Sequence, residues 1–196
     1  MLELIPNFIL ASGSPRRREL LEDAGFGFDS ISVDVDESIK PGLSPLEIVD
    51  DLALRKLTAC KEFSDKNLVL TADTLVFQQD HILGKPIDRK DAIRMLKLLS
   101  NTYHTVTTSV CFGYKDFKHQ FNVSTKVYFT ELSLQTIAYY IDHYQPFDKA
   151  GSYGIQEWIG EIGIYKIEGS YTNVVGLPMT ETYQTIVHLI DKWMIK

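Results

Sequence analysis

A basic turn early in the sequence has the chemistry to bind an anion. Residues 12–18 read SGSPRRR and fall where a short apolar run gives way to a helical pattern. Backbone N–H groups and the positive end of a helix dipole point out of such a turn, and serine hydroxyls add donors. Successive helical residues splay around the axis, so at most two of the three arginines reach one ligand, and we expect Arg18 to be solvated. The turn predicts a phosphate site; the alternative is an ordinary basic surface turn.

A carboxylate inside an apolar run is the second candidate for chemistry. Asp73 lies within residues 68–77, which read as a buried strand, and an unpaired charge there would take up a proton. Lys56 lies at the edge of the apolar stripe of the preceding predicted helix, and Lys85 lies in a Gly-Lys-Pro turn after the strand, so either ammonium could pair with the acid. The pattern favours a general base or a metal-linked acid. The alternatives are an aspartate that caps a loop and a solvated turn lysine.

A compact acidic cluster precedes the first long predicted helix. We expect Asp34 and Asp36 on one face of a strand and Glu37 on the other. Carboxylates at this spacing could hold a hard divalent cation whose remaining ligands are water and substrate phosphates. A solvated strand edge is an equally good interpretation.

Several other chemistries have no matching pattern in the sequence. The five histidines lack metal-ligand spacing, and there is no nucleophile elbow, Walker A loop or dinucleotide fingerprint. Cys60 and Cys111 lie far apart in unrelated contexts, so we expect both to pack in the core of a protein from a reducing compartment. Two glycine-containing loops, 148–156 and 169–178, have the chemistry to bring backbone close to a ligand; the alternative is plain turns.

The overall charge limits the class of partner. Among 196 residues, 20 Lys and Arg oppose 26 Asp and Glu, which gives a net charge of −6. A protein that binds duplex nucleic acid or an anionic membrane needs a basic surface. A chain with this net charge is therefore not expected to have either as a partner. No stretch approaches the roughly 18 apolar residues of a membrane span, and the first residues lack the pattern of a signal peptide. We expect a cytoplasmic protein that acts on a small anionic molecule.

The elements that must position these residues alternate between strands and helices. Strands are predicted at 8–11, 68–77, 103–114, 121–130 and 162–171. Helices are predicted from Pro15 to Gly25, from a capping box at Ser44 to about Ser64, from Asp88 or Asp91, from Ser133 to about Tyr144, and from about Leu177 onward. The order predicts an α/β chain in which a mixed sheet folds into two lobes of a single domain over residues 1–196.

Five segments together carry a family resemblance. They are 10–17 (LASGSPRR), 72–74 (ADT), 84–86 (GKP), 148–156 (DKAGSYGIQ) and 170–178 (SYTNVVGLP). In this order they resemble the Maf family of nucleoside triphosphate pyrophosphatases. The resemblance implies a fold related to the inosine triphosphatase type with a central cleft between two lobes, a homodimer, and dependence on a divalent metal, Mg²⁺ or Mn²⁺. It also implies hydrolysis of a nucleotide between the α and β phosphates, and the family has been tied to inhibition of septum formation.

The resemblance also assigns roles to residues of this sequence. It implies that Asp73 accepts the proton, that Ser12 and Arg16 bind phosphate, and that the two catalytic lysines are Lys56 and Lys85. The family's acidic residue after the second strand falls on Glu37, which with Asp73 is the candidate metal ligand. The chain is similar to the branch that prefers dTTP and UTP at three selectivity positions, Arg17, Thr74 and Gln156. It departs from many relatives at Leu57, where they have alanine, which puts the local packing in question.

Two rival functions remain open at the level of sequence. An enzyme for methylated GTP or another modified nucleotide would keep every catalytic residue and would differ only in its substrate preference. A non-catalytic, nucleotide-binding regulator of cell division would be expected to have lost Asp73 or the lysines, and the sequence retains all of them.

Overall fold

Strands and helices alternate along most of the chain. The structure, a computed structural model, describes residues 8–79 and 81–194. The strands are β1 (Phe8–Ala11), β2 (Asp29–Ile31), β3 (Leu68–Gln78), β4 (His81–Leu83), β5 (Tyr103–Tyr114), β6 (Phe117–Phe129) and β7 (Ile164–Glu168). The helices are α1 (Pro15–Asp23), α2 (Pro45–Ala59), α3 (Lys61–Ser64), α4 (Arg89–Leu99), α5 (Leu134–Tyr144), α6 (Trp158–Gly163), α7 (Tyr171–Val175) and α8 (Met179–Met194), with short 3-10 turns at Pro146–Asp148 and Ala150–Ser152.

The described strands form a mixed seven-stranded sheet. Its order is β2-β1-β3-β5-β6-β7, and β4 pairs with β3 outside that path. β1 is parallel to both β2 and β3, and Leu10 lies opposite Leu70. Parallel neighbours require crossover connections, which α1 and α2 supply. β4 pairs antiparallel with β3, and β7 pairs antiparallel with β6. The predicted mixed α/β class is confirmed.

The described chain divides into two compact units. Unit 1 comprises the described residues of Met1–Asp73, Thr108–Val123 and Gly176–Lys196, and unit 2 comprises those of Thr74–Thr107 and Ser124–Val175. β3, β5 and β6 each contribute residues to both units. Within the described ranges, no helix combines the length and the apolar character needed to span a membrane.

The core of unit 1 lies on both faces of β1 and β3. Alternate strand residues face opposite ways, so Phe8 and Leu10 join one apolar cluster while Ile9 and Ala11 join another. The first cluster also takes side chains from α1 and α8, and the second takes them from α2. Burial of both faces explains why these strands read as continuous apolar runs in the sequence.

The second cluster contains both cysteines. Cys60 and Cys111 are free thiols and fully buried, which confirms the predicted packing role. Burial raises the pKa of both thiols, that of Cys111 to about 12. Leu57 packs in the same cluster over Gly113, where an added Cβ atom would lie 2.7 Å from Leu57 Cδ1. The leucine at this position is thus accommodated by a glycine on β5.

The acidic cluster does not lie on a strand, so that prediction is wrong. β2 ends at Ile31, and residues 32–40 have no regular structure. The Asp36 carboxylate instead accepts hydrogen bonds from Ser38 N–H at 2.9 Å and Ser38 Oγ at 2.8 Å. An aspartate that bonds the backbone two residues later forms a turn, which competes with strand pairing.

Two other predicted elements are interrupted. The strand predicted over 162–171 is confined to β7, because α6 precedes it and α7 begins at Tyr171. The helix predicted from Ser44 to Ser64 is divided at Cys60 into α2 and α3. Three helix starts agree with the prediction. The N-cap residues in the structure are Ser44 with its capping box, Asp88 and Ser133.

Unit 2 buries a histidine among aromatic rings. His104 on β5 is 1% exposed, and its ring centroid lies 5.7 Å from that of Phe129 and 5.3 Å from that of Tyr153. His104 Nε2 is 2.7 Å from Tyr153 Oη. Burial lowers the pKa of His104 to about 3, so the imidazole is neutral at pH 7.

Candidate active site

The turn between β1 and α1 retains hydrogen-bond donors for an anion. Ser12 Oγ accepts hydrogen bonds from Ser14 N–H at 3.2 Å and from Arg17 Nη1 at 3.1 Å. A hydroxyl also carries one hydrogen, which neither bond uses. Ser14 is the N-cap of α1, Pro15 follows it, and the first turn of the helix has no acidic residue. The positive end of α1 is therefore not neutralised by acidic side chains of its own first turn.

Arg17 is buried in unit 1. Its Nε donates to Gly176 O at 2.7 Å, and its Nη1 donates to Ala72 O at 2.8 Å as well as to Ser12. The guanidinium thus ties α1 to β3 and to the segment before α8. Its predicted part in base selection stays a prediction, but the structure gives it this additional structural role.

The other two arginines of the turn differ in exposure. Arg16 is partly buried, whereas Arg18 is exposed and donates to Ser30 Oγ at 3.4 Å. The prediction that Arg18 is the solvated arginine is confirmed. Arg16 also lies close enough to Arg17 for its charge to lower the pKa of that neighbour.

One ammonium group joins two acidic residues of unit 1. Lys56 Nζ lies 2.9 Å from Glu37 Oε1 and also binds Asp73 Oδ1. The side chains of Lys56 and Asp73 are 13% and 11% exposed, and that of Glu37 is 59% exposed. Arg17 lies nearby: burial is the main cause that lowers its pKa, and the charges of Asp73 and Glu37 oppose that effect. The predicted pairing of a buried acid with Lys56 is present.

Packing of α2 on β3 explains how Lys56 reaches Asp73. The Thr71 hydroxyl donates to Ala53 O at 3.0 Å, which fixes the helix against the strand. Lys56 lies about one helical turn after Ala53, and Asp73 lies two residues after Thr71 on the same strand face. The capping box at Ser44 fixes where the helix begins and hence which residues face the strand.

Arg55 holds the segment that carries Glu37. Its Nη1 donates to Asp36 O at 2.8 Å and to Ser38 O at 2.9 Å, and its Nη2 binds the Asp51 carboxylate. The carbonyls on either side of Glu37 are therefore bound to α2. The sequence alone does not indicate Arg55, because an arginine that binds distant main-chain carbonyls has no signature in residue type or spacing.

Unit 2 carries the remaining three predicted residues. Thr74 is partly buried on β3, Lys85 is exposed after β4, and Gln156 is exposed in the turn before α6. Gly151 N–H donates to Gly84 O at 3.1 Å. A backbone hydrogen bond thus joins the segments that carry Lys85 and Gln156.

A match to a protein family decides the identity of the chain. The family model described as Maf-like protein matches residues 7–189. The chain belongs to the Maf family. The family resemblance carried by the five sequence segments is confirmed.

Relatives of this Maf chain have a common name. A Flavobacterium psychrophilum protein is 51% identical over 176 residues, which are 89% of this chain and 90% of that protein. A Flavobacterium johnsoniae protein is 45% identical over 183 residues, 93% of this chain and 94% of that one. A Parabacteroides distasonis protein is 44% identical over 192 residues, 96% of this chain and 100% of that one. All three are named dTTP/UTP pyrophosphatase.

The carboxylates of this Maf chain fit a divalent cation whose remaining ligands come from water and a substrate. The described residues contain no group of three or more His, Cys, Asp or Glu side chains arranged to hold a metal ion. Asp73 and Glu37, however, bring two carboxylates to one ammonium. Proteins commonly hold Mg²⁺ by one or two carboxylates, with waters and substrate phosphates as the other ligands. Their role as metal ligands stays a prediction, as do the catalytic roles of the other site residues.

Proposed function

We propose that the chain is a nucleoside triphosphate pyrophosphatase that hydrolyses dTTP and UTP to the monophosphate and pyrophosphate. The observation that carries the proposal is the Lys56 ammonium bound to both Asp73 and Glu37 in the unit that also holds the basic turn. The names of relatives 44–51% identical over nearly the whole chain support the choice of substrates.

The basic turn binds the phosphate chain in this proposal. The Ser12 hydroxyl and the N–H groups at the start of α1 donate hydrogen bonds to phosphate oxygens. Arg16 adds a guanidinium, whose paired donors match two oxygens of one phosphate. Arg18 takes no part, because it is exposed and donates to Ser30.

Asp73 accepts a proton from the attacking water. As the water oxygen bonds to the α phosphorus, the bond from that phosphorus to the bridging oxygen breaks and pyrophosphate departs with both electrons. Lys56 fixes one oxygen of the Asp73 carboxylate, and the other oxygen takes the proton. Lys56 and Lys85 offset the negative charge that the triphosphate brings and that shifts onto the leaving group.

Asp73 and Glu37 are the residues that would hold a divalent cation, Mg²⁺ or Mn²⁺. Such an ion supplies charge neutralisation on the triphosphate oxygens. Arg55 keeps Glu37 in place for this role by binding the carbonyls of Asp36 and Ser38.

Base selection is assigned to Arg17, Thr74 and Gln156. The Gln156 amide offers an acceptor and two donors, enough to pair with the alternating carbonyl and N–H groups of uracil or thymine. A purine in the same place would leave polar groups unpaired, which costs roughly 1 to 3 kcal/mol for each group. The proposal also includes action in the cytoplasm, a homodimer, and a nucleotide rather than a nucleic-acid polymer or a membrane as partner.

A substrate panel tests the proposal. Pyrophosphate release would be measured from dTTP, UTP, CTP, GTP and a methylated GTP, with Mg²⁺, with Mn²⁺ and with excess chelator. We expect the highest kcat/KM for dTTP and UTP, with loss of activity on chelation. Preference for methylated GTP would assign the chain to the other specificity, and nucleotide binding without turnover on any substrate would overturn the enzymatic assignment.

A further inference from the structure

The Glu157 carboxylate cross-links two parts of unit 2 beside Gln156. Its Oε2 accepts a hydrogen bond from Tyr140 Oη, and its Oε1 lies 3.0 Å from Lys149 Nζ. Glu157 is the N-cap residue of α6, yet its side chain makes no capping hydrogen bond to that helix. The carboxylate is used instead to bind α5 and the segment before the second 3-10 turn.

The Tyr140 hydroxyl uses both of its hydrogen-bonding functions in this network. The side chain is 0% exposed, and Oη accepts a hydrogen bond from Gly154 N–H at 3.0 Å while it donates to Glu157. Burial is the main cause that raises the pKa of Tyr140, so the hydroxyl keeps the proton that it donates. Replacement by phenylalanine would leave a main-chain donor and a carboxylate oxygen without this partner.

Close packing at Gly154 completes the arrangement. A Cβ atom added there would lie 2.8 Å from Glu157 Cδ and 2.9 Å from Oε2, so a residue with a side chain would displace the carboxylate. Glu157 N–H also donates to Gly154 O at 3.1 Å. Residues 154–157 are therefore closed on themselves and bound to Tyr140, and Gln156 lies within this short segment.

Stability alone is a weak reason for such a network. The Lys149 side chain is 12% exposed and that of Glu157 is 23% exposed, so both charges are largely removed from water. Removing water from an ion pair offsets most of its attraction, and apolar packing in its place is often equally stable. What the charged and hydroxyl groups supply is a defined position for the backbone between them.

We propose that Tyr140, Glu157 and Lys149 form a clamp that positions Gln156 and thereby sets the preference for pyrimidine over purine triphosphates. The inference rests on the proposed function and adds three positioning residues to it. None of the three needs to touch the substrate. Their effect passes through the turn at 154–157, where a small displacement of the amide would weaken its pairing with a base.

Tyr140→Phe is the direct test, because it removes one oxygen atom and keeps the ring. We expect KM for dTTP and UTP to rise and the ratio of kcat/KM for dTTP to that for GTP to fall about tenfold. The kcat for dTTP should change much less, since none of the three clamp residues is assigned to the phosphate chemistry. The matched control is Tyr139→Phe. Tyr139 precedes Tyr140 on the same helix and is 47% exposed, so loss of its hydroxyl should leave the selectivity ratio unchanged.

A double-variant cycle separates positioning from simple loss of structure. In a Gln156→Ala background, Tyr140→Phe should have no further effect on the selectivity ratio, since the group that it positions is already absent. Glu157→Gln keeps an oxygen that can accept from Tyr140, so it should retain more selectivity than Glu157→Ala. A thermal melt of each variant reports any loss of folded protein.

Failure of the clamp and failure of the proposed function give different results. If wild-type protein releases no pyrophosphate from dTTP, the proposed function is wrong. If wild type is active but Tyr140→Phe lowers kcat/KM equally for every base, or Gln156→Ala leaves the ratio unchanged, the clamp is wrong and the enzymatic assignment stands.

Discussion

Lys56 binds two carboxylates at once, so the environments of Asp73 and Glu37 depend on each other. A substitution that removes Lys56 would leave Asp73 as a buried acid without the ammonium that binds it. Substitutions of the acids are easier to interpret, because the remaining pair keeps one charge-assisted hydrogen bond. Asp73 itself and the arginines of the basic turn are therefore the most informative residues to substitute.

Asp73→Asn should abolish most of the activity while the protein still folds. The amide keeps the shape and an oxygen for Lys56 but cannot take a proton from water. Loss of a general base lowers kcat by about 100- to 10,000-fold. The measurement is steady-state pyrophosphate release from dTTP together with a thermal melt. Asp34→Asn, at an exposed acid of the acidic cluster that contains Glu37, is the control. A folded variant with wild-type turnover would remove Asp73 from the mechanism.

Arg16→Ala should impair catalysis far more than Arg18→Ala. Arg16 is assigned to phosphate, whereas Arg18 is exposed and its hydrogen bond to Ser30 Oγ is long, at 3.4 Å. Arg16→Lys should also be impaired, because a point charge does not reproduce two parallel donors. The comparison is kcat/KM for dTTP across the three variants. Equal and mild effects would mean that the turn is an ordinary basic surface.

Arg55 ties α2 to the segment that carries Glu37, so it should influence the requirement for a metal ion. Arg55→Met keeps most of the apolar stem but loses the bonds to the carbonyls of Asp36 and Ser38, so Glu37 is held less firmly. Substitution of a residue that orients a metal ligand typically lowers metal affinity or activity by about 10- to 100-fold. We expect the Mg²⁺ concentration for half-maximal activity to rise, as measured by titration.

The control for Arg55→Met is Arg89→Met. Arg89 forms a bidentate ion pair with Asp142, but its side chain is 51% exposed and it belongs to unit 2. Exposed pairs contribute little to stability. An equal shift in the metal requirement of both variants would contradict a specific role for Arg55.

The sequence predicted the elements with strong local signals. The capping box at Ser44 fixes the register of α2, and the apolar run around Asp73 is long enough to identify β3. From that register alone, Lys56 could be placed beside the apolar face and expected to meet an acid. The contact between Lys56 and Asp73 in the structure follows from this register of α2.

The parts that escaped prediction depend on distant or non-periodic contacts. Asp36 binds Ser38 instead of taking part in a strand. The sequence of a short acidic stretch does not distinguish a turn of this kind from a strand. Arg55 and Glu157 act on main chain or side chains brought near only by the fold. Nothing in the spacing of their neighbours distinguishes them from solvated charges.

For the molecule as a whole, His104 makes stability depend on pH. Its pKa falls from 6.5 to about 3 on folding because of burial. Between pH 6.5 and pH 3, the unfolded chain binds a proton at this histidine that the folded protein does not bind. The contribution of the buried, neutral imidazole to stability is therefore fully present above pH 6.5 and is lost as the pH falls toward 3. The slope is at most about 1.4 kcal/mol per pH unit.

Urea denaturation at several pH values between 7 and 4 measures this slope. Carboxylates also titrate in that range, so the informative quantity is the difference between wild type and His104→Gln. We expect the wild type to lose stability faster than the variant as the pH is lowered. Parallel curves would mean that His104 is protonated in the folded state as readily as in the unfolded chain.

The two thiols of unit 1 are buried in the apolar cluster to which α2 contributes Ala53 and Leu57. Thiolates, not thiols, react with oxidants and alkylating agents, and burial both excludes reagents and disfavours the thiolate at Cys60 and Cys111. Cys60 follows the last turn of α2, the helix that also carries Lys56 and Arg55. A local opening that lifts α2 from the sheet would expose this sulfur and would also separate Lys56 from Asp73. Oxidation of Cys60 and loss of the acid–lysine pair would then follow from the same opening, so molecules that keep the pair intact would be shielded from modification.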